Sequence, residues 1–455
     1  MSLPTSASAA APCETNPLPL VRGTSPVQHS ILSTLHFVLL IFAVLIKLPF
    51  YLAYHYIFFR HRSPLVAAGR HPVAEVVNHI AKTAFSHAYL APGRAVFATQ
   101  LFLKGDCWFE RVTTDQGVKG TWIRPPSTSR IDDDLVLYWI HGGAFNHDIV
   151  GSNLPFFKAL ALNLNNDSQV PRQFSLFVLD YHLAPEKVYP SQLVELDAGY
   201  RYLTQTLGID ADKICLGGDS AGGNLVSSYL LHLVQSNPTL LDPRPCPSKP
   251  GSVLLMSPWN SLLPLASRPS RCSSAHSTLD FLSDPSVTVG AYHYLGLEAP
   301  FSAGPSWNPL KWFGIVRDEL PISGAEAGQD DDDDGKSGSL FDDPFVSPGP
   351  ESVSSAWYGN AFPHAGKTCV IWGGMEIFAD DINAFVDALK TAGASPVTGY
   401  DPLKTHDWPL FDFAFPFMSR TKARGRSSRY DFGLNQIADF LQSVSTTTAP
   451  GVDKC

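Results

Sequence analysis

The sequence predicts an α/β fold: a mostly parallel sheet buried on both faces by helices, with a single serine set in a glycine-rich turn at one strand end. Three observations predict it. Short, nearly continuous apolar runs alternate with stretches of helical periodicity along most of the 455-residue chain, as expected for strands covered on both faces. Two of those runs end in glycine-rich turns, His141–Gly143 and Leu216–Gly223. The composition, 44% hydrophobic and 16% charged, is that of a globular protein with material for a large core.

The elements follow in order. Residues 1–30 are rich in Ser, Ala and Pro and are read as a disordered tail. Ile31 to Phe59 is apolar on all sides: thirteen of the sixteen residues Ile31–Ile46 are apolar, and Lys47 is the only Lys, Arg, Asp or Glu before Arg60. About twenty such residues suffice for a helix to cross a bilayer. Tyr51, Tyr54 and Tyr56 fit an interfacial belt at its end. Bulky residues follow the run where a cleavage site needs small ones, so 31–59 is expected to be a retained anchor. Residues 60–107 read as linker and cap helices. WFERVTT (108–114) and GVKGTWIRPP (117–126) read as an antiparallel pair of strands. Further strands are expected at 134–143, 174–181, 213–220, 252–259, 368–377 and 395–403, for eight in all. Helices are expected at 191–207, 221–235, 380–392 and near 430–444. Residues 260–364 interrupt this order as a cap insertion with an Asp-rich loop at 330–343, and 444–455 form a second disordered tail.

Several classes of function are excluded. The net charge of −9 argues against non-specific nucleic-acid binding. No zinc-ligand spacing, Walker loop or dinucleotide fingerprint appears, so neither metal nor cofactor is expected. The five acids Asp330–Asp334 stand among Gly and Ser and read as a solvated loop. The basic cluster Arg420, Lys422, Arg424, Arg426 and Arg429 reads as a loop, or as a contact for anionic headgroups if the chain is anchored. Seven cysteines spread over this length are no disulfide framework, and Cys215 and Cys369 fall inside strands as small apolar residues.

The chemistry gathers around Gly218-Asp219-Ser220-Ala221-Gly222, a G-x-S-x-G turn from strand to helix. Such a turn pushes a serine hydroxyl outward at the carboxyl end of a parallel strand, where sites form. A serine hydroxyl needs a base, a group to orient that base, and donors for an oxyanion. Gly142 and Gly143, after another strand, supply N–H groups that with that of Ala221 would form the oxyanion hole.

HGGAF (141–145), DYHLAPE (180–186), GDSAGGNL (218–225) and SPWNSL (257–262) together resemble the hormone-sensitive-lipase-like branch of the α/β-hydrolases, the fold-3 group. The resemblance covers roughly 108–443. With the apolar N-terminus, the chain is similar to membrane-anchored arylacetamide deacetylases and fungal steryl acetyl hydrolases. The resemblance implies a Ser–acid–His order. It puts Glu376 in the acid position, where the family has Asp, and Asp380 is the alternative. It puts His406 in the base position, with Asp407 where the family has glycine. His141 and His182 precede the serine and His364 precedes the acid, so none fits the order; Asp219 reads as structural, and Tyr181, Pro185 and Glu186 as support for the oxyanion turn.

The function so implied is a membrane-anchored serine carboxylester hydrolase cleaving short-chain acyl esters of lipophilic alcohols, steryl acetates among them. The expected partners are the ester substrate and membrane lipids. An acyltransferase using the same acyl-enzyme and a non-catalytic receptor for a small ligand are the alternatives; retention of Ser220, Glu376 and His406 speaks against the receptor. The family comparison places the catalytic domain in the lumen of the endoplasmic reticulum, whereas Arg60, Arg62 and Arg70 against Arg22 favour the cytosol. The sequon at Asn166 would report the side by its glycosylation.

Overall fold

A computed structural model describes residues 106–125, 133–148, 150–165, 173–237, 240–241, 246–262, 280–282, 284–297, 340–414 and 432–445, besides the isolated positions Phe42 and Ile46. The N-terminal tail and the basic cluster, most of the segments expected as anchor, linker, Asp-rich loop and C-terminal tail, and Asn166 lie outside the described residues; of the loop, Leu340–Asp342 form a 3-10 turn, and of the tail, 444–445 end a helix. Among the described residues no helix is long and apolar enough to cross a membrane.

The strands are β1 (Phe109–Thr113), β2 (Lys119–Ile123), β3 (Leu135–Ile140), β4 (Phe174–Leu179), β5 (Ile214–Asp219), β6 (Ser252–Met256), β7 (Thr368–Gly373) and β8 (Val397–Asp401). They form one sheet in the order β1-β2-β4-β3-β5-β6-β7-β8. β2 runs antiparallel to both its neighbours, and every pairing from β4 to β8 is parallel. The mostly parallel eight-stranded sheet and its antiparallel opening are therefore as expected.

Side chains along a strand alternate between faces, and β3 shows what that does. Val136, Tyr138 and Ile140 enter one core, while Leu135, Leu137 and Trp139 enter the other. Both faces need a cover, which is why β3 is apolar at all six positions and fully buried. The cover comes from helices. Against the first face pack α2 (Ser191–Arg201), α3 (Ser220–Val234), α5 (Ser355–Ala361) and α6 (Ala379–Thr391). Against the second pack α1 (Val150–Asn165), α7 (Trp408–Ala414) and α8 (Phe432–Ser445). α4 (Asp284–Leu295) belongs to the insertion after β6. Each fully buried Leu, Ile or Phe contributes about 1.5–3 kcal/mol, so strands buried on both faces gain twice along one backbone.

Helices α1, α5 and α7 were not anticipated from the sequence. α1 has apolar residues on too much of its circumference for a clear stripe, and α5 and α7 have seven residues each, two turns that leave too little periodicity to read. Among the described residues Cys107, Cys215, Cys246 and Cys369 are free. Cys215 on β5 and Cys369 on β7 are both buried in the second core, as expected, and burial pushes the Cys215 thiol up to about 12.

Candidate active site

The site lies at the carboxyl ends of β3, β5, β6, β7 and β8, where each strand hands over to a loop or helix. Ser220 is the first residue of α3 and has φ +51°. A non-glycine residue in that left-handed region costs about 1–3 kcal/mol and persists only where its surroundings hold it. Here the glycines hold it. A Cβ at Gly222 would lie 2.6 Å from the Ile140 carbonyl carbon, and one at Gly218 would lie 2.7 Å from the Gly222 carbonyl. The turn passes so close to the end of β3 that no side chain fits on those two residues. Three further bonds brace it: Trp259 N–H donates to the Ser220 carbonyl at 3.0 Å, and Asn224 donates to the carbonyls of Trp259 and Val346 at 3.0 and 2.9 Å.

The turn after β3 stands against the serine. A Cβ at Gly142 would be 2.9 Å from the Ser220 Cβ. Gly143, Ala144 and Phe145 take φ values of +107°, +51° and +62°, and the turn closes by bonds from the Asn146 and His147 N–H groups to the Gly143 carbonyl at 3.1 and 2.9 Å. Tyr181 supports it, stacking on the His141 ring at 4.2 Å and donating to the His141 carbonyl at 2.8 Å. Ala184 N–H donates to the Phe145 carbonyl at 2.8 Å. The DYHLAPE segment thus shapes the oxyanion turn as expected. From above, α4 covers it: Tyr294 stacks on Phe145 at 3.8 Å, and Gly290 is pressed against Ala144.

One expected donor is committed elsewhere. The Gly142 amide faces the carboxylate of Asp219, whose pKa burial raises while the His141 ring and this amide hold it down. Among the described residues the Gly143 amide meets no acceptor. Ala221 N–H is in the first turn of α3, where helix amides lack an internal partner. Asp219 itself accepts from Trp139 Nε1 at 2.9 Å; it is a structural residue and no partner of the imidazole's outer nitrogen.

The residues expected as acid and base stand in two other loops. Glu376, after β7, is fully buried, and His406, after β8, is 2% exposed. His406 Nδ1 lies 3.2 Å from Glu376 Oε2. Burial pushes the Glu376 carboxyl up to about 8, held back by the Ser257 hydroxyl and the Gly373 amide. Burial pushes the His406 imidazole down to about 4, against the pull of the Asp280 and Asp219 charges. Of the expected alternatives, Asp380 lies in the first turn of α6, where a carboxylate suits the helix dipole. His182 pairs with Glu195, His364 is held by carbonyls of Gly359 and Gly393, and His141 by that of Gly142.

The Ser220 hydroxyl has no hydrogen-bond partner among the described residues. His406 Nε2 stands 3.3 Å from Asp407 Oδ2. Hydrogen bonds between nucleophile and base are often open in the free form of such sites and close with substrate. Asp407 has φ +49°, which explains why glycine suits this position. Its pKa is raised well above the usual carboxylate range by burial and by the charges of Asp219, Glu376 and Asp280.

Two residues of the site carried no signal in the sequence. Ser257, with φ +42° after β6, accepts from the Asp407 N–H at 3.0 Å. Asp280, one residue before Phe281 in the insertion, is 1% exposed and accepts from the Ile377 N–H at 2.8 Å. Ser257 opens the SPWNSL segment but was given no role there, Asp280 belongs to no short motif, and the fold brings both beside Glu376 and His406.

A left-handed serine turn after β5 on a doubly covered parallel sheet, with a buried histidine–carboxylate pair in the loops after the last two strands, is the arrangement of the α/β-hydrolase fold. Residues 137–317 match the family described as "alpha/beta hydrolase fold". The chain is 29% identical over 204 residues to hormone-sensitive lipase of Homo sapiens, which covers 44% of this chain and 17% of that protein. It is 28% identical over 130 residues to steryl acetyl hydrolase 1 of Saccharomyces cerevisiae, covering 28% of this chain and 27% of that one. The chain thus spans less than a third of the length of these curated relatives. Its fold is similar to the crystal structure of an esterase from the bacterial hormone-sensitive lipase family, with a TM-score of 0.51 at 20% identity, covering 84% of this chain and 98% of that one. Residues 137–317 thus match the α/β-hydrolase fold, and the chain is similar to hormone-sensitive lipase and to esterases of that fold.

Proposed function

We propose that this protein is a serine carboxylester hydrolase acting on short-chain acyl esters of lipophilic alcohols, steryl acetates among them. The observation that carries the reading is the left-handed Ser220 at the end of β5, on the same sheet edge as a buried His406–Glu376 pair. His406 Nε2 takes the proton of Ser220 Oγ as that oxygen attacks the ester carbonyl. The oxyanion is received by the N–H groups of Gly143 and Ala221, beside Gly142. The imidazolium, oriented through Nδ1 by Glu376, gives its proton to the departing alcohol. Water then adds to the acyl-enzyme, losing a proton to His406, and Ser220 is released with its proton restored. The balance needs ester and water only.

The substrate class is supported by the printed names of the relatives, a steryl acetyl hydrolase and a hormone-sensitive lipase, and by the aromatic cover that Tyr294 and Phe145 make over the oxyanion turn. The apolar stretch 31–59 is proposed to anchor the domain to a membrane, with the endoplasmic reticulum as its place. Hydrolysis of p-nitrophenyl esters of graded chain length by the full chain, with Ser220→Ala as control, tests the activity. Turnover falling steeply from short to long acyl groups supports the reading, and turnover that survives Ser220→Ala overturns it. Glycosylation at Asn166 in cells would place the domain in the lumen.

A further inference from the structure

The insertion between β6 and β7 is expected to shape the substrate pocket, yet one dipeptide of it reaches beneath the triad. Asp280 and Phe281 stand just before α4. The Asp280 carboxylate accepts three backbone N–H groups: that of Phe281 at 2.7 Å, that of Ile377 at 2.8 Å and that of His406 at 3.4 Å. Ile377 follows the acid Glu376 directly, and the third amide belongs to the base itself. One buried carboxylate thus ties three chain segments together at the two residues whose separation sets proton transfer. The ring of Phe281 lies 5.7 Å from that of His406 and 4.3 Å from that of Phe411 on α7. On its other side the imidazole meets Phe378 at 5.3 Å.

We propose that Asp280 and Phe281 are positioning residues of the hydrolytic site, a clamp through which the insertion holds Glu376 and His406 in register. This deepens the hydrolase reading and rests on it. A second consequence is electrostatic. The active form of the pair is a carboxylate beside a neutral imidazole, so the pair must shed one proton to work. A negative charge at Asp280 favours keeping that proton, as the mutual influence of Asp280, His406 and Glu376 shows. The other charged groups at the imidazole are Asp219 and Asp407. Burial pushes the Asp280 carboxyl up to about 6, and the His406 charge and the amides of Ile377 and Phe281 hold it there, so near neutrality it is mainly ionised.

The experiment is steady-state hydrolysis of a short-chain p-nitrophenyl ester by the full chain and its Asp280→Asn variant, from about pH 5 to about pH 9. Asparagine keeps the shape, but its amide nitrogen cannot accept an N–H and its charge is gone. The expected result is a kcat lower by about tenfold or more, KM within about threefold, and an acid limb of kcat/KM moved to lower pH. An unchanged kcat, or a limb that stays or moves to higher pH, overturns the proposal. Should Asp280→Asn not fold, Phe281→Leu decides: a fall in kcat of about threefold or more with an unmoved limb supports the clamp, and a wild-type kcat refutes it. Histidine-ring NMR titration of His406 in the Ser220→Ala chain, with and without Asp280→Asn, reads the clamp without turnover. A His406 titration that moves to lower pH, together with a wild-type chain that cleaves no ester, would sink the hydrolase reading alone. Turnover by the wild-type chain with an unmoved titration would sink the clamp alone.

Discussion

The two halves of the site are built in opposite ways. The nucleophile half, β5 into α3 with the turn after β3, is held by backbone: close approach at Gly218 and Gly222, strained φ at Ser220, and bonds from Trp259 and Asn224. The acid–base half, after β7 and β8, is held by charge: Glu376, Asp280 and Asp407 lie buried around one imidazole, each with its pKa raised. Steric constraint fixes where an oxygen sits and is indifferent to pH. A cluster of buried carboxyls fixes where a proton sits, and it answers to pH and to every neighbour. The first half sets geometry and the second sets proton affinity.

The sharpest break of this contrast removes each half in turn. Ser220→Ala is expected to lower kcat by about 10⁶-fold, read by ester turnover with circular dichroism unchanged. Glu376→Gln is expected to lower kcat by about 10⁴-fold and to change the pH profile as well. In the native protein the pair loses its working proton late, because burial lifts Glu376 to about 8; the rising limb of kcat/KM should lie above the ordinary histidine range of about 6.5. In Glu376→Gln the pair has only the His406 proton left to lose, and burial lowers it, so the residual activity should be flat from about pH 7 upward. A residual activity that still climbs to pH 8 would separate Glu376 from the base it is meant to orient.

Smaller effects sharpen the comparison. Gly222→Ala puts a methyl against the Ile140 carbonyl at a distance no Cβ occupies; a loss of about 1–3 kcal/mol is expected, measured by thermal or denaturant unfolding and the same at pH 6 and pH 9. Asp407→Gly should do the reverse on the other half. A carboxyl whose folded pKa is raised leaves the native state binding more protons than the unfolded chain, so it costs stability as pH rises above its ordinary value near 4. Removing it, with an unpartnered buried Oδ1 and a left-handed backbone, is expected to stabilise by about 1–3 kcal/mol at neutral pH, with little gain below about pH 4. An equal gain at both pH values would place the effect in the backbone and not in the charge.

The same contrast decides what the sequence could say. The nucleophile half was legible because steric constraint writes glycine at fixed spacings, and Gly218, Ser220 and Gly222 fall within five residues. The strands were legible because β3 through β7 are apolar on both faces. Glu376 and His406 were placed by their order after the serine and by family resemblance, since a carboxylate and an imidazole thirty residues apart leave no local pattern. Asp280 was invisible: its donors are backbone amides, which any residue but proline can supply, and two of the three lie about a hundred residues away. The commitment of the Gly142 amide to Asp219 was equally unreadable, because two glycines in a row do not tell which amide is free.

The insertion after β6 leaves and returns through one seam. Past β6 the Leu262 N–H donates to the Ser347 hydroxyl at 3.1 Å, with Ser261 bonded to Glu351 beside it and Asn224 gripping the Val346 carbonyl. Exit and return share one doorway. Because each doubling of a flexible loop adds only about 0.6 kcal/mol to its closure, what hangs from that doorway can lengthen, shorten or be exchanged without disturbing the strands below.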